Sequence, residues 1–237
     1  MKTMPTYHPT NRNWRLHYQA TYQGLPVLYE NPEDGPLVVN HLERTLNVIN
    51  RARHRQSRTF AIRFDLYLPN EEQIDAIERD SHILKTFWRY LDREINASRL
   101  THPANMAYIW ARERGPVSGK THFHVLLLLN GNAICSLGNP GPSHDGTFSD
   151  ATLAHRIFRS WLWTLGYPAI VDYRHLVHFQ KDLNTRALMP LLLHRDEEEP
   201  WQFLFYLASY LTKSKTKPVG EGLRTFDTSR DYAGQTP

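Results

Sequence analysis

The sequence has few of the residues that stabilise or anchor an exported protein. Its 237 residues include one cysteine, Cys135, so no disulfide can form within the chain. No apolar run approaches the roughly 20 residues that cross a bilayer. The opening segment MKTMPTYHPTNRNW also lacks the apolar stretch of a secretory signal. These absences predict a protein of a reducing cytoplasm, with no membrane partner.

The sequence also lacks internal repeats, low-complexity segments and any helicase motif. One stretch, GPVSGKT at 115–121, looks like a phosphate-binding loop, but it has three residues between its glycines and leads into a predicted strand. That motif needs four such residues and a helix whose N-terminus faces the phosphates, so we reject it. We predict an extended N-terminal arm over 1–36 and a single domain over 37–237 with a basic C-terminal tail.

The hydrophobic periodicity of the chain alternates between helical and strand patterns. Helices are predicted over 37–53, 70–95, 151–167 and 201–215. Strands are predicted over 59–69, 104–114 and 120–130, with a fourth over 169–179. The second and third strands are expected to form a hairpin around the turn GPVSG. This order predicts an α+β fold, with a central antiparallel β-sheet flanked by helices.

Positive charge is concentrated in two places. The net charge is +4, and the clusters RARHRQSR at 51–58 and KSKTK at 213–217 hold seven of the 28 lysines and arginines. Such clusters fit contact with the phosphates of a nucleic acid. The alternative is an ordinary solvated surface, because charge alone identifies no partner.

Two histidines stand one residue apart in THFHVLLLLN, at the start of the third predicted strand. Because side chains alternate along a strand, His122 and His124 point to one face while Phe123 points to the other. Two imidazoles on one face can chelate a cation; the alternative is a pair of surface or hydrogen-bonded structural histidines. The following apolar run is typical of a sheet covered on both faces. We therefore expect the pair at the end of the sheet, where substrate can reach it.

A carboxylate on the preceding strand completes a candidate metal site. The predicted hairpin brings Glu113 back beside His122 and His124. Two imidazoles and one carboxylate leave positions for water and substrate, and this mixture suits Mg²⁺ or Mn²⁺, with zinc as an alternative. Asp65 on the first strand is a rival third ligand, because central strands of one sheet lie close together.

A tyrosine pair near the end of the chain forms a second candidate group. FYLASYLTK places Tyr206 and Tyr210 on one face of the predicted helix, with Lys213 one turn further. Four apolar residues are expected to bury the helix and leave the phenols and the ammonium on an exposed edge: Phe203, Leu204, Leu207 and Leu211. A phenol has a pKa of about 10 and attacks a phosphate only when the target is strongly polarised, for example by a divalent ion. The alternative is a pair of half-buried packing residues.

The ordered combination of a hairpin carboxylate, H-hydrophobe-H and Y-x-x-x-Y-x-x-K resembles the HUH endonuclease superfamily. Its two-tyrosine helix is similar to that of rolling-circle replication initiators from single-stranded DNA phages. The stretches FAIRFDLYLP and SYLTKSKTKPVGEGLRTFDTSR further resemble the inovirus (filamentous phage) replication-initiator family and its prophage relatives. The resemblance covers roughly residues 40–230 and implies an antiparallel sheet flanked by helices.

The resemblance also implies residue roles. His122 and His124 match the metal ligands, Tyr206 and Tyr210 match the paired nucleophiles, and Lys213 matches the lysine that follows them. Glu113 is the implied third ligand, with Asp65 still an alternative, and Tyr210 is favoured if one tyrosine suffices.

The expected activity is metal-dependent, site-specific nicking and joining of single-stranded DNA through a 5′-phosphotyrosine intermediate, which would initiate rolling-circle DNA replication. The expected partners are single-stranded or supercoiled origin DNA, together with a helicase and polymerase of the bacterial host, in whose cytoplasm the protein would act. One alternative is a non-catalytic single-stranded nucleic-acid-binding module. Another is an HUH transposase or relaxase with the same chemistry.

Overall fold

The computed structural model describes residues 4–29, 35–69, 82–115, 119–182, 184–185 and 187–230. Its helices are α1, Val39–Arg55; α2, Ile83–Asn96; α3, Leu153–Thr164; and α4, Glu198–Ser209. Its strands are β1, Tyr7–His8; β2, Asn11–His17; β3, Thr21–Tyr22; β4, Leu25–Pro26; β5, Leu37–Val38; β6, Arg58–Tyr67; β7, Ala107–Arg114; β8, Thr121–Asn130; β9, Val177–Phe179; β10, Leu191–His194; and β11, Phe226–Thr228.

A six-stranded antiparallel sheet forms the centre of the fold. Its order is β10-β6-β8-β7-β11, and β9 also pairs with β6. Strands β6, β7 and β8 correspond to the strands predicted over 59–69, 104–114 and 120–130, and β7 and β8 form the predicted hairpin. The α+β prediction is confirmed.

Each face of the sheet carries its own apolar core because alternate residues of the middle strands are buried on opposite sides. On one face, Val125 and Leu127 of β8 pack with α2 and α3. On the other face, Leu126 and Leu128 pack with α1 and α4. Each fully buried side chain of this size contributes roughly 1.5–3 kcal/mol. This packing holds α4 against the face to which His122 and His124 point.

The predicted helices are present with shifted ends, except that the helix predicted over 201–215 ends at Ser209 and its last six residues are not α-helical. The helix predicted over 70–95 is present as α2, while its first part, 70–81, lies outside the described residues. Helix α3 begins after Thr152, whose hydroxyl accepts a hydrogen bond from the His155 backbone N–H at 3.2 Å. Among the described residues, no helix combines the length and apolarity needed to cross a bilayer.

The strand predicted over 169–179 is wrong in its first part. Val171–Leu176 forms a 3-10 helix, and only Val177–Phe179 is a strand. The reason is the lack of a partner: Leu66 of β6 pairs with Val177, and β6 ends one residue later at Tyr67. Residues before Leu176 therefore have no backbone of β6 to bond.

The N-terminal region folds into short strands that pack on the domain. In its described part, β1 and β2 form a sheet with β5, and β3 and β4 form a separate hairpin. The turn of that hairpin holds Gln23 and Gly24, both with positive φ, as a two-residue turn matched to strand twist requires. The Leu28 backbone N–H donates to the Ser209 hydroxyl at 2.8 Å, which ties this region to the end of α4.

Candidate functional site

The register of β6, β8 and β7 places five polar side chains in two adjacent rows. Tyr67 pairs with His122, which pairs on its other side with Glu113, and in the next row Asp65 pairs with His124. Directly paired residues point to the same face. This is the face covered by α1 and α4. The predicted metal residues therefore converge at one end of the sheet.

Glu113, His122 and His124 form a compact group of potential metal ligands. The Nε2 atoms of the two histidines are 3.2 Å apart, and the Nε2 of His124 lies 3.5 Å from Oε2 of Glu113. One ligand atom from each of the three residues lies within 4.8 Å of the others. An ion bound at about 2.0–2.2 Å separates neighbouring ligands by about 3–3.5 Å, so these residues could hold a divalent ion.

Asp65 occupies a different position from the one expected of a rival ligand. Its carboxylate lies 2.5 Å from Nδ1 of His124, on the opposite side of the imidazole from Glu113. A carboxylate in this position fixes Nδ1 as the donor and turns the Nε2 lone pair toward the metal position. Of the two carboxylates considered as the third ligand, Glu113 lies with His122 and His124 in the metal-ligand group, whereas Asp65 orients His124.

Glu113 is buried among groups that stabilise its charge. The Thr216 hydroxyl donates to Oε2 at 2.5 Å, and the ammonium of Lys217 lies 3.5 Å from Oε1. Lys217 also donates to the Leu211 carbonyl at 2.7 Å. Burial alone would raise the pKa of Glu113, but the hydrogen bond from His124 and the charge of Lys217 hold that pKa far below its usual range. The carboxylate is therefore ionised and fixed in place.

Sequence reasoning did not find the role of Lys217. In the sequence it belongs to a charged cluster that suggests surface contact with phosphates, yet its side chain is fully buried beside Glu113. Lys213 of the same cluster is also buried, whereas Lys215 is exposed. In a regular extended segment the i,i+2 spacing would place Lys213, Lys215 and Lys217 on one side, so no local signal in the sequence separates the two buried lysines from the exposed one.

The two histidines differ in their protonation. Burial and the charge of His124 lower the pKa of His122. Burial would lower the pKa of His124 as well, but its hydrogen bonds with Asp65 and Glu113 outweigh burial and raise it. Because the two shifts are opposite, a proton bound by this pair favours His124, and a metal ion bound at Nε2 of His124 would have to displace it.

Tyr210 lies directly beside the metal-ligand group. Its ring is 5.3 Å from the ring of His124, centre to centre. The ammonium of Lys213 and the guanidinium of Arg63 each lie 4.3 Å from the centre of the Tyr210 ring. The expected grouping of Tyr210 and Lys213 is thus present, although by a different route. Helix α4 ends at Ser209, so Lys213 follows a 3-10 turn instead of lying one helical turn further.

The predicted exposed edge of this helix is only partly correct. Residues 201, 204, 205 and 208 of α4 are buried, and this stripe leaves Phe203 on the outside with 43% exposure. Leu204 and Leu211 are buried as expected. Tyr206 is half-buried, one helical turn before Tyr210. Lys213 is buried beside the Tyr210 ring, so it does not lie on an exposed edge.

A third phenol at the site was missed from the sequence. Tyr67 stacks on the ring of His122, with a centre distance of 5.4 Å and an interplanar angle of 16°. Burial, followed by the charges of Asp65 and Tyr210, raises the pKa of Tyr67, which therefore stays a neutral hydroxyl. Its i,i+2 spacing from Asp65 was visible in the sequence, but the pairing of β6 with β8 was not.

Other sequence features lie apart from this group. The Gly115 backbone N–H donates to the Lys120 carbonyl at 2.9 Å, and Lys120 leads directly into β8 and not into the helix that a phosphate loop requires. Residues 51–58 end at Arg58, at the other end of β6 from Tyr67, about 30 Å away along the strand. Arg53 there already bonds Glu198 and the Arg195 carbonyl.

The chain is 29% identical over 215 residues to the uncharacterized protein YfjJ of Escherichia coli (strain K12), covering 84% of this chain and 97% of that protein. It is 30% identical over 142 residues to the uncharacterized protein YagK of the same organism, covering 58% of this chain and 61% of that protein. No solved structure matches. The family model described as "YagK/YfjJ C-terminal domain" matches residues 18–229, so the chain belongs to that family.

Proposed function

We propose that this protein is a metal-dependent, site-specific endonuclease that nicks and rejoins single-stranded DNA through a 5′-phosphotyrosine, and so initiates rolling-circle DNA replication. The observation that carries the proposal is the position of the Tyr210 ring, 5.3 Å from His124 and beside the Glu113, His122 and His124 group. A nucleophile next to a divalent ion is the arrangement that phosphodiester transfer requires.

The proposed reaction conserves the number of phosphoester bonds. The Tyr210 oxygen attacks the phosphorus and loses its proton to solvent, while the bond to the 3′ oxygen breaks and that oxygen gains a proton. Bound Mg²⁺ or Mn²⁺ would polarise the phosphate and stabilise its added charge. Lys213, beside the phenol, adds positive charge at the same place. The free 3′ hydroxyl would prime a host polymerase, and a host helicase would unwind the duplex.

The test is formation of a covalent adduct. Single-stranded oligonucleotides are incubated with the protein and Mn²⁺ and separated on a denaturing gel. We expect an adduct that EDTA prevents, that Tyr210→Phe abolishes or strongly reduces, and that Tyr206→Phe, Tyr210→Phe eliminates. Tyr7→Phe, at an exposed tyrosine of β1, is the matched control and should behave as the wild type. An adduct that survives the double substitution would disprove the tyrosine chemistry.

The alternative of a non-catalytic single-stranded nucleic-acid-binding module is favoured by one observation. Glu113 already has Thr216, Lys217 and His124 as partners, as expected of a purely structural carboxylate. Calorimetric titration with Mn²⁺ separates the two ideas. DNA binding with neither Mn²⁺ binding nor an adduct would support the binding module.

A further inference from the structure

Arg63 of β6 lies on the face of the sheet that carries the metal-ligand group. It precedes Asp65 by two residues, about 7 Å along the strand, and side chains at this spacing point to the same face. Asp65 pairs with His124 on that face. The guanidinium of Arg63 reaches the ring of Tyr210, whose centre is 4.3 Å away. Arg63 therefore lies beside the proposed nucleophile, next to the rows that hold the metal ligands.

The charge of Arg63 has no counter-ion in the described part of the chain. Its half-buried side chain forms no ion pair with a described carboxylate, and its buried Nε has no hydrogen-bond acceptor among the described residues. Arginines elsewhere in the fold have such partners, for example Arg53 with Glu198 and Arg159 with Glu94. A buried donor without an acceptor is unfavourable, so an anionic ligand beside Arg63 would remove a cost that the protein otherwise carries.

The surroundings of Tyr210 favour a phosphate as that anion. The guanidinium of Arg63 and the ammonium of Lys213 each lie 4.3 Å from the centre of the Tyr210 ring, and two positive charges against one ring attract a negative group. A phosphate under attack lies about 3–3.5 Å from the phenol oxygen, which brings its other oxygens near a guanidinium stacked on the same ring. The planar fork of an arginine matches the oxygens of a phosphate.

We propose that Arg63 is a catalytic residue that donates to a non-bridging oxygen of the phosphate attacked by Tyr210. The inference rests on the proposed function, because it names a contact of the reacting phosphate. Arg63 would stabilise the negative charge that this oxygen gains in the transition state. It supplies charge and hydrogen bonds and takes no part in proton transfer.

The first test removes the same contact from either side. An oligonucleotide that forms the adduct is selected from a randomised single-stranded library, and is then prepared with a phosphate or a methylphosphonate at the cleaved bond. The methylphosphonate carries a methyl group in place of one charged oxygen, and its two stereoisomers are tested separately. With the phosphate, Arg63→Gln should slow adduct formation about 100-fold or more. With the stereoisomer that lacks the contacted oxygen, the variant and the wild type should react at similar rates.

The control variants separate this contact from charge and from folding. Arg63→Lys keeps the positive charge but loses the planar fork, and should recover part of the rate. Arg93→Gln removes an exposed arginine of α2, which packs on the other face of the sheet, and should leave the rate unchanged. Urea denaturation checks that each variant folds before rates are compared. If Arg63→Gln does not fold, the two substrates are compared with Arg63→Lys.

A second measurement needs no chemistry. Binding of a labelled oligothymidine is measured in EDTA over a range of salt concentrations. The logarithm of the affinity for a single strand falls with the logarithm of the salt concentration, with a slope of about 0.7 for each phosphate contacted. Arg63→Gln should reduce this slope by about 0.7, the loss of one phosphate contact, whereas Arg93→Gln should leave it unchanged.

Two results would overturn the proposal. One is an adduct rate that Arg63→Gln leaves unchanged. The other is a pair of effects, from Arg63→Gln and from each methylphosphonate, that simply multiply, because Arg63 would then act only by packing on Tyr210. If no library member forms an adduct with the wild type, the nicking reaction is rejected and the salt dependence decides. A reduced slope in Arg63→Gln would support the phosphate contact, and an unchanged slope would overturn it.

Discussion

Consecutive residues of β6 point into two different environments. Phe64 is fully buried among aromatic rings, with ring centres 6.3 Å from Phe87 and 5.9 Å from Phe179. Asp65, on the opposite face, bonds His124 in a row of ionisable groups. One face is held by apolar packing, while the other combines packing with charges that balance one another. Because side chains alternate along β6, residues that stabilise the fold lie on one face and residues of the candidate metal site lie on the other. Substitutions at neighbouring positions should therefore affect different properties, either stability or metal affinity.

The largest effect is expected on the apolar face. Phe64→Ala should lower the free energy of unfolding by about 3–5 kcal/mol, because it leaves a cavity among rings that cannot collapse into it. Urea denaturation measures the loss. Ile62→Val on the same face is the smaller matched change, expected to cost about 0.5–1.5 kcal/mol. Mn²⁺ affinity of the folded protein should be unchanged, and a large loss of affinity would show that the two faces are coupled.

A loss of stability of similar size is expected from a substitution on the polar face, but only when Mn²⁺ is absent. Lys217→Met keeps the side-chain volume but removes the ammonium beside the buried Glu113 and leaves His124 as its charged partner, at a cost of about 3 kcal/mol in the metal-free protein. Mn²⁺ supplies positive charge to the same carboxylate, so it should restore much of the lost stability and bind more tightly than to the wild type. Denaturation with and without Mn²⁺ measures both quantities. Equal destabilisation in the two conditions would contradict the shared role of Lys217 and the metal.

Asp65→Asn tests the polar face without removing a ligand. The amide carries no charge and orients His124 less strongly, so Mn²⁺ affinity should fall about 10–100-fold. Titration calorimetry provides the dissociation constant. Asp92→Asn, at an exposed position of α2, serves as the control and should leave it unchanged. An unaltered affinity in Asp65→Asn would mean that packing alone orients His124.

The pH dependence should also differ with metal. The pKa of His124 is raised above its ordinary value of 6.5, so the stability contributed by its protonated form is present below pH 6.5 and is lost as the pH rises through the folded-state pKa. The pKa values of Asp65 and Glu113 are lowered, so their contributions are present above 3.8 and 4.5 and disappear as the pH falls through the folded-state values.

Mn²⁺ must displace the proton of His124, so its affinity should increase about tenfold per pH unit until that proton is lost. Dissociation constants measured across this range provide the test. An affinity independent of pH would place the metal elsewhere.

Much of the fold followed from local patterns. The alternation around His122 and His124, the hairpin that returns Glu113, and the apolar run of β8 each depend on neighbouring residues and were predicted. The pairing of Asp65 with His124 and the position of Lys217 beside Glu113 depend on strand register and on a long connection. The first contact joins residues that are 59 positions apart in the sequence, and the second joins residues that are 104 positions apart. No local periodicity encodes contacts at such separations. The path of the chain after Ser209 was missed for a related reason, because residues 201–215 have continuous helical periodicity.

The smallest effect should come from the residue next to Glu113. Arg114 forms a bidentate ion pair with Glu221, at 2.7 and 2.8 Å, but about two-fifths of each side chain is exposed. Water solvates both charges in the unfolded and folded states, so Glu221→Gln should cost less than about 1 kcal/mol, and less still at high salt. Denaturation at low and high salt measures both values. Glu113 and Arg114 are consecutive residues of β7, and each forms an ion pair, the first buried with Lys217 and the second exposed with Glu221. If Glu221→Gln lowered the free energy of unfolding as much as Lys217→Met, burial would not explain the difference between the two pairs.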